Sequence, residues 1–141
     1  LAIAVANARL ARAEEVFFAF VPDLLDHLRY TFSPDSRVTY DELFERVKRT
    51  PLLILDDLGA ETATPWAYEK LYQIIVHRHN ARLPTVITSM MEFSDDLDPI
   101  TSRVQDPSVS QLIRLDAPDY RNKQRRPAVR QRRGTRGRPA G

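Results

Sequence analysis

Cysteine is absent from the 141 residues. That excludes a disulfide framework, a thiolate nucleophile and any cysteine metal site. No apolar run approaches the roughly 20 residues that a membrane-spanning helix needs, and no charged-then-apolar leader of the secretory kind is present. Glycine is scarce, with Gly59, Gly134, Gly137 and Gly141 the only four. What remains is 43% hydrophobic and 28% charged, a composition able to fill a core. The expectation is one soluble, cytoplasmic domain. Leu1 stands inside a helical pattern with no cap before it, which raises the expectation that the chain starts partway through a longer reading frame.

Acid is also missing from one region. Tyr120–Gly141 holds nine Arg or Lys and no Asp or Glu. In residues 1–119, twelve bases face nineteen acids and leave a net charge of −7, so the overall +2 describes neither part. With Val129 as its one sizeable apolar residue, the tail cannot offset its ordering entropy, and residues 120–141 read as a basic disordered tail. It fits either a solvated appendage or an arm that binds DNA or RNA phosphates through counterion release.

The body alternates strands and helices. Leu1–Arg12 reads as a helix and Val16–Phe20 as a buried strand. Pro22 suits a first helical turn, with Leu24, Leu25, Leu28 and Phe32 on one face. Ser33–Ser36 is loop chemistry. Thr39-Tyr40-Asp41-Glu42 is a capping-box pattern opening a helix that turns Leu43, Phe44 and Val47 inward. Leu52–Leu55 lacks alternation, as a strand covered on both faces does. Thr64-Pro65 opens a long helix with the stripe Tyr68, Leu71, Tyr72, Ile75 and Val76. Pro84–Ser89 is the next strand. Ser94–Val104 reads as a helix interrupted by Pro99, and Gln111–Leu115 as a last short strand. This order predicts an α/β fold with a parallel sheet.

The most informative segment is LLILDDLG, Leu52–Gly59. Its apolar residues drive the strand into the sheet centre, and Asp56 and Asp57 emerge at the carboxyl end, where open α/β sheets bind ligands. Two adjacent carboxylates repel unless a cation or a reacting proton uses them. Mg²⁺-nucleotide hydrolysis fits: one acid holds the metal and the other polarises the attacking water. Asp-Asp-x-Gly is also ordinary turn chemistry, so the motif alone leaves both readings open.

Together with PTVITSMM (Pro84–Met91) and Ile100-Thr101-Ser102-Arg103, this segment resembles the AAA+ ATPases of the DnaC/IstB type, the helicase loaders and transposition helpers. The resemblance covers Leu1 to about Arg121. It implies a P-loop NTPase (AAA+/ASCE) three-layer sandwich over residues 1–119, with ATP and Mg²⁺ as cofactors. LLILDDLG resembles the Walker B strand, which implies Asp56 for Mg²⁺ through its water shell and Asp57 for water activation. PTVITSMM resembles the sensor strand, whose polar end, here Thr88 or Ser89, contacts the γ-phosphate. Arg103 falls where the family supplies an arginine finger to a neighbouring subunit. Arg121, in Ala117–Arg121, is similar to the family's closing Tyr-Arg segment. LAIAVANA resembles the helix directly after a Walker A loop.

Three departures accompany the resemblance. Asp57 is the shorter acid where the family also uses Glu. Met90 stands where the sensor strand often has Asn and cannot usefully bind a phosphate, so slow hydrolysis is expected. No G-x-x-x-x-G-K-[ST] occurs anywhere in the sequence; by the match to LAIAVANA, that loop and its strand would lie just before Leu1. Their loss would leave a gap in the sheet, since unpaired backbone is costly, and the isolated chain is expected to be marginally stable with little turnover.

Other residues carry plainer readings beside functional ones. Arg103 could instead pair with Asp106 or Asp98, and Arg121 could simply begin the tail. His77 and His79 point to different helix faces and cannot share a metal. Asp95, Asp96 and Asp98 after Ser94 are helix-start chemistry. Trp66, Tyr68 and Tyr72 read as core or a subunit contact. The preferred function is an ATP-hydrolysing domain of a homo-oligomeric loader that delivers a replicative helicase or transposase to DNA, with no membrane partner. The alternative is a non-catalytic module that binds a partner through its helices and DNA through its tail.

Overall fold

Leu52–Leu55 becomes the middle of a sheet, as its unbroken apolar run predicts. In a computed structural model that describes residues 1–59, 64–94 and 97–117, β1 (Val16–Phe20), β2 (Leu52–Leu58) and β3 (Thr85–Ser89) form a parallel sheet in the order β1-β2-β3. Phe17 and Phe18 sit opposite Leu53 and Ile54, and Ile54 and Leu55 sit opposite Val86 and Ile87. Parallel pairing needs crossover elements that cover both faces. Those elements are α1 (Ala2–Leu10), α2 (Val21–Tyr30), α3 (Tyr40–Arg49) and α4 (Pro65–Asn80), with a short α5 (Pro99–Val104) after the sheet.

The alternation along β2 sorts the core into two clusters. Leu53 and Leu55 join residues of α2, α3 and α4, among them Leu25, Leu28, Val47, Leu71 and Ile74. Leu52 and Ile54 face the opposite way, against Ala2 and Ala6 of α1. The result is three layers, α1, sheet and α2–α4, and Leu53, Ile54 and Leu55 have no exposed surface. A connection of five residues, 11–15, returns the chain from α1 to the start of β1. Such a short return makes α1 antiparallel to the strands and turns its first residues toward their carboxyl ends.

Local chemistry sets the helix starts. Thr39 Oγ1 accepts the Glu42 amide at 3.3 Å while Glu42 Oε2 accepts the Thr39 amide at 2.9 Å, so the capping box forms on α3 as its sequence predicts. Thr64 caps α4 through the Ala67 amide at 3.3 Å, with Pro65 in the first turn.

Four expectations shift. Phe32 lies beyond the end of α2 and is 66% exposed. The buried stripe of α4 is Ala67, Leu71, Ile74, Ile75 and Arg78, with Tyr68 and Tyr72 on its flank. The last helix starts only at Pro99, because Asp98 caps it through the Thr101 amide at 2.7 Å and proline fits the first turn. Gln111–Leu115 forms no strand. An extended segment needs a neighbour to satisfy its backbone, and among the described residues the sheet ends at β3.

Arg78 is the largest surprise, being only 1% exposed. Its guanidinium donates to the carbonyls of Lys48 at 2.9 Å, Thr50 at 2.8 Å and Pro84 at 2.6 Å, and its Nε donates to Thr85 Oγ1 at 2.8 Å. It thereby fastens α4 to the entries of β2 and β3. Burial pulls its pKa down to about 10.

Candidate functional site

The acidic pair sits where β2 stops behaving as a regular strand. Leu53 and Leu55 face the large core, so strict alternation would send Asp57 into it as well. Instead Leu58 is on that side and 1% exposed. The face assignment changes parity between Leu55 and Leu58, where the register with β3 shifts in a β-bulge. Asp57 is the bulge residue, with φ of 64°. Left-handed backbone costs most residues about 1–2 kcal/mol, and Asp is among the few that tolerate it. The bulge keeps Asp56 half-buried and Asp57 exposed, both out of the core.

Two hydroxyls of β3 hold this geometry. Thr88 Oγ1 donates to Asp56 Oδ1 at 2.6 Å and accepts the Asp57 amide at 3.0 Å. Ser89 Oγ donates to the Leu58 carbonyl at 2.5 Å and accepts the Met91 amide at 2.9 Å. Each hydroxyl has one proton to give, and both protons go to β2. Met90, beside them, is 93% exposed.

Asp56, Asp57, Thr88 and Ser89 therefore meet at the carboxyl end of the sheet. Among the described residues, no group of three or more His, Asp or Glu could share a metal ion. A cage for Ca²⁺ or Zn²⁺ is thus not assembled from them. Two carboxylates suit Mg²⁺, which takes one or two such ligands and completes its shell with water and substrate phosphates.

Arg103 lies on α5. It lines a cleft of about 510 Å³ with His79, Ser102, Gln105, Asp106 and Pro107. Its Nη1 donates to the Pro99 carbonyl at 3.1 Å, and its guanidinium stands 6.0 Å from the Tyr72 ring. Arg103 Nε is buried with no hydrogen-bond partner among the described residues. Neither acid offered by the sequence pairs with it. Asp98 accepts the Tyr68 hydroxyl at 2.6 Å as well as capping α5, and Asp106 pairs with His79 Nε2 at 2.8 Å. Burial raises the Asp98 carboxyl, but the bonds from Tyr68 and Thr101 outweigh it and hold the group below its ordinary value. Burial first, then Asp98, push Tyr68 up to about 12. The Ser108 hydroxyl and amide, with His79, hold Asp106 down at about 2.

Arg121, Asp95 and Asp96 lie outside the described residues, as does the basic tail. His79 is a structural partner of Asp106, and Trp66, Tyr68 and Tyr72 pack against the core.

One constellation went unread in the sequence. Phe32, Tyr40 and Phe44 stack with centroids 5.2 Å apart at each step. Lys70 lies 5.6 Å from the Tyr40 ring, Lys48 lies 5.2 Å from Phe44, and Arg29 lies 4.7 Å from Trp66. The spacing of Tyr40 and Phe44 on one helix face was the available signal; Phe32 joins them only through the loop.

A family model described as IstB-like ATP binding protein matches residues 1–116. The replicative helicase loader DnaI of Bacillus subtilis is 32% identical over 94 residues, 66% of this chain and 29% of its own length. The replicative helicase loader DnaC of Escherichia coli K12 is 24% identical over 106 residues, 75% of this chain and 43% of its own. DnaC of Buchnera aphidicola from Schizaphis graminum is 25% identical over 92 residues, 65% of this chain and 37% of its own. The chain thus spans well under half the length of these relatives.

Proposed function

The chain belongs to the IstB-like ATP binding protein family, and from that premise we propose that it is the Walker B and sensor portion of an ATP-hydrolysing AAA+ domain of the helicase-loader kind. The observation that carries the proposal is the acidic pair at the carboxyl end of the central buried strand, lifted out of the core by a bulge. ATP with Mg²⁺, when bound, supplies the phosphoanhydride to be cleaved and the charge that offsets it.

The residues then take distinct parts. Asp56, fixed by Thr88, is suited to hold the metal's water shell. Asp57, exposed beside it, is suited to polarise a water for in-line attack. Arg103 lines a cleft that includes none of Asp56, Asp57, Thr88 and Ser89, which supports action on the nucleotide of an adjacent subunit in a homo-oligomer. Ser89 keeps β3 in register, and Arg121 is a further phosphate contact by its family position. A phosphate-binding loop encoded ahead of Leu1 would complete the site, since α1 starts toward the carboxyl end of the sheet and the sequence has no G-x-x-x-x-G-K-[ST] of its own. The relatives named as helicase loaders support a replicative helicase as partner in the cytoplasm; a transposase is the partner if the chain serves transposition.

The second reading, a non-catalytic module binding DNA and a partner protein, draws on the same missing loop and on the basic tail. Exposed Phe32, at the end of a ring column flanked by lysines, adds a surface on which a base can stack. Titration of Mg-ATP into the 141-residue chain and into a version extended upstream tests the two. The extended form should bind and hydrolyse ATP, and Asp57→Asn should remove turnover while leaving binding. Tight binding by the short form, or none by the extended one, overturns the proposal.

A further inference from the structure

The hydroxyl of Thr88 is engaged on both sides. It gives its only proton to Asp56 Oδ1 at 2.6 Å and takes the Asp57 amide at 3.0 Å. It therefore joins the carboxylate of one acid to the backbone of the next, across strands 31 and 32 residues apart in sequence. That backbone is the strained part of β2, with Asp57 at φ of 64° in the bulge. On the far side Leu58 is fixed, because it fills the core and its carbonyl accepts Ser89 Oγ. The peptide at Asp57 is thus held at one end by the packing of Leu58 and at the other by the Thr88 hydroxyl, next to Asp56, which pairs with Phe20 of β1.

We propose that Thr88 is a positioning residue that transmits occupancy of Asp56 by a divalent cation to the orientation of Asp57. The inference rests on the reading of Asp56 as the metal-holding acid. A cation at Asp56 draws electron density from Oδ1 and weakens it as an acceptor for Thr88. The hydroxyl either turns or follows the carboxylate, and the Asp57 amide, bonded to the same oxygen, moves with it. The water-polarising acid then takes a different orientation when the metal is in place. Thr88 acts through the two aspartates, since its proton is already given to one of them and a phosphate oxygen can only accept.

The test uses the ¹⁵N-labelled 141-residue chain, with Mg²⁺ alone as the probe and Mn²⁺ broadening to locate it. In the wild type, Mg²⁺ should shift the Asp56 and Asp57 amides together, and Asp57 should be protected from solvent exchange. Thr88→Ser keeps the hydroxyl and should behave alike. Thr88→Val, of nearly the same shape, should leave the Asp56 response intact, abolish that of Asp57 and raise its exchange at least tenfold. Asp56→Asn should remove both shifts while retaining protection, which checks the coupling in a variant whose β3 is untouched. Equal Asp57 responses in the wild type and Thr88→Val overturn the coupling while leaving Asp56 as a metal site. No response at Asp56 in the wild type overturns the metal reading and the inference with it.

Discussion

Asp57 carries two demands that usually fall on different residues. It tolerates left-handed backbone, with φ of 64°, and on the function proposed above it presents a carboxylate at the carboxyl end of the sheet. Asp meets both, which gives a backbone reason for the shorter acid. The carboxylate and its strand end were legible in the sequence, because Leu52–Leu55 announces a buried strand and Asp56-Asp57 ends the run. The bulge was not legible, since it is decided by the need to put Leu58 in the core. Asp57→Asn should therefore stay within about 0.5 kcal/mol of the wild type, because Asn also adopts this backbone, while Asp57→Val should lose about 1–2 kcal/mol. Urea unfolding midpoints measure the difference, and equal midpoints would show that the bulge places no demand on residue 57. Arg78 teaches the opposite lesson. Nothing in its sequence neighbourhood separates it from the partly buried bases of α4, Lys70, His77 and His79, and only the convergence of four backbone carbonyls around it makes burial tolerable.

At the scale of elements, three strands and the caps of α3 and α4 follow from local patterns. Where the reading slipped, at the α4 stripe and at Gln111–Leu115, the missing information was which neighbour an element packs or pairs with. The start of α5 is a milder case, because Asp98-Pro99 is itself a cap signal that the acids nearer Ser94 obscured. The stretch after α5 is held by Asp106, which accepts the Ser108 amide at 2.9 Å and hydroxyl at 2.7 Å and pairs with His79 of α4. These contacts hold its folded-state pKa at about 2, below the ordinary value near 4. A depressed carboxylate contributes stability that is complete above about pH 4 and is lost as pH falls toward about 2. Thermal unfolding followed from pH 5 to pH 2 should show a fall in midpoint for the wild type. That fall should shrink in Asp106→Asn, and an unchanged profile would remove Asp106 from acid sensitivity. The clasp also supports the α5 segment that carries Arg103, through Ser110 Oγ to the Arg103 carbonyl at 3.0 Å.

Over the whole molecule, the charge is divided between an acidic body and a basic tail. An acidic body repels DNA at long range, so any general affinity for the phosphate backbone should come from Tyr120–Gly141. Deleting those residues should weaken DNA binding at low salt by at least tenfold and flatten its dependence on salt, as fluorescence anisotropy over a salt series would show. Retained affinity that is lost in Phe32→Ala would move the contact to the ring column. No helix among the described residues is long and apolar enough to cross a membrane. The two sheet faces are unequally covered: one has three helices with Leu, Ile and Val side chains, the other has α1 with Ala2 and Ala6. Small side chains bury little apolar area, so the α1 face contributes less to the core than the other.

The sequence by itself determined the α/β order, the central strand and the two acids at its end, because those depend on apolar periodicity and on residues adjacent in the chain. Only the tertiary structure decided how the acids are presented. The bulge, the Thr88 bridge and the seating of Arg103 over the Tyr72 ring arise from contacts between residues some thirty positions apart or from packing against the core. No local pattern encodes those contacts.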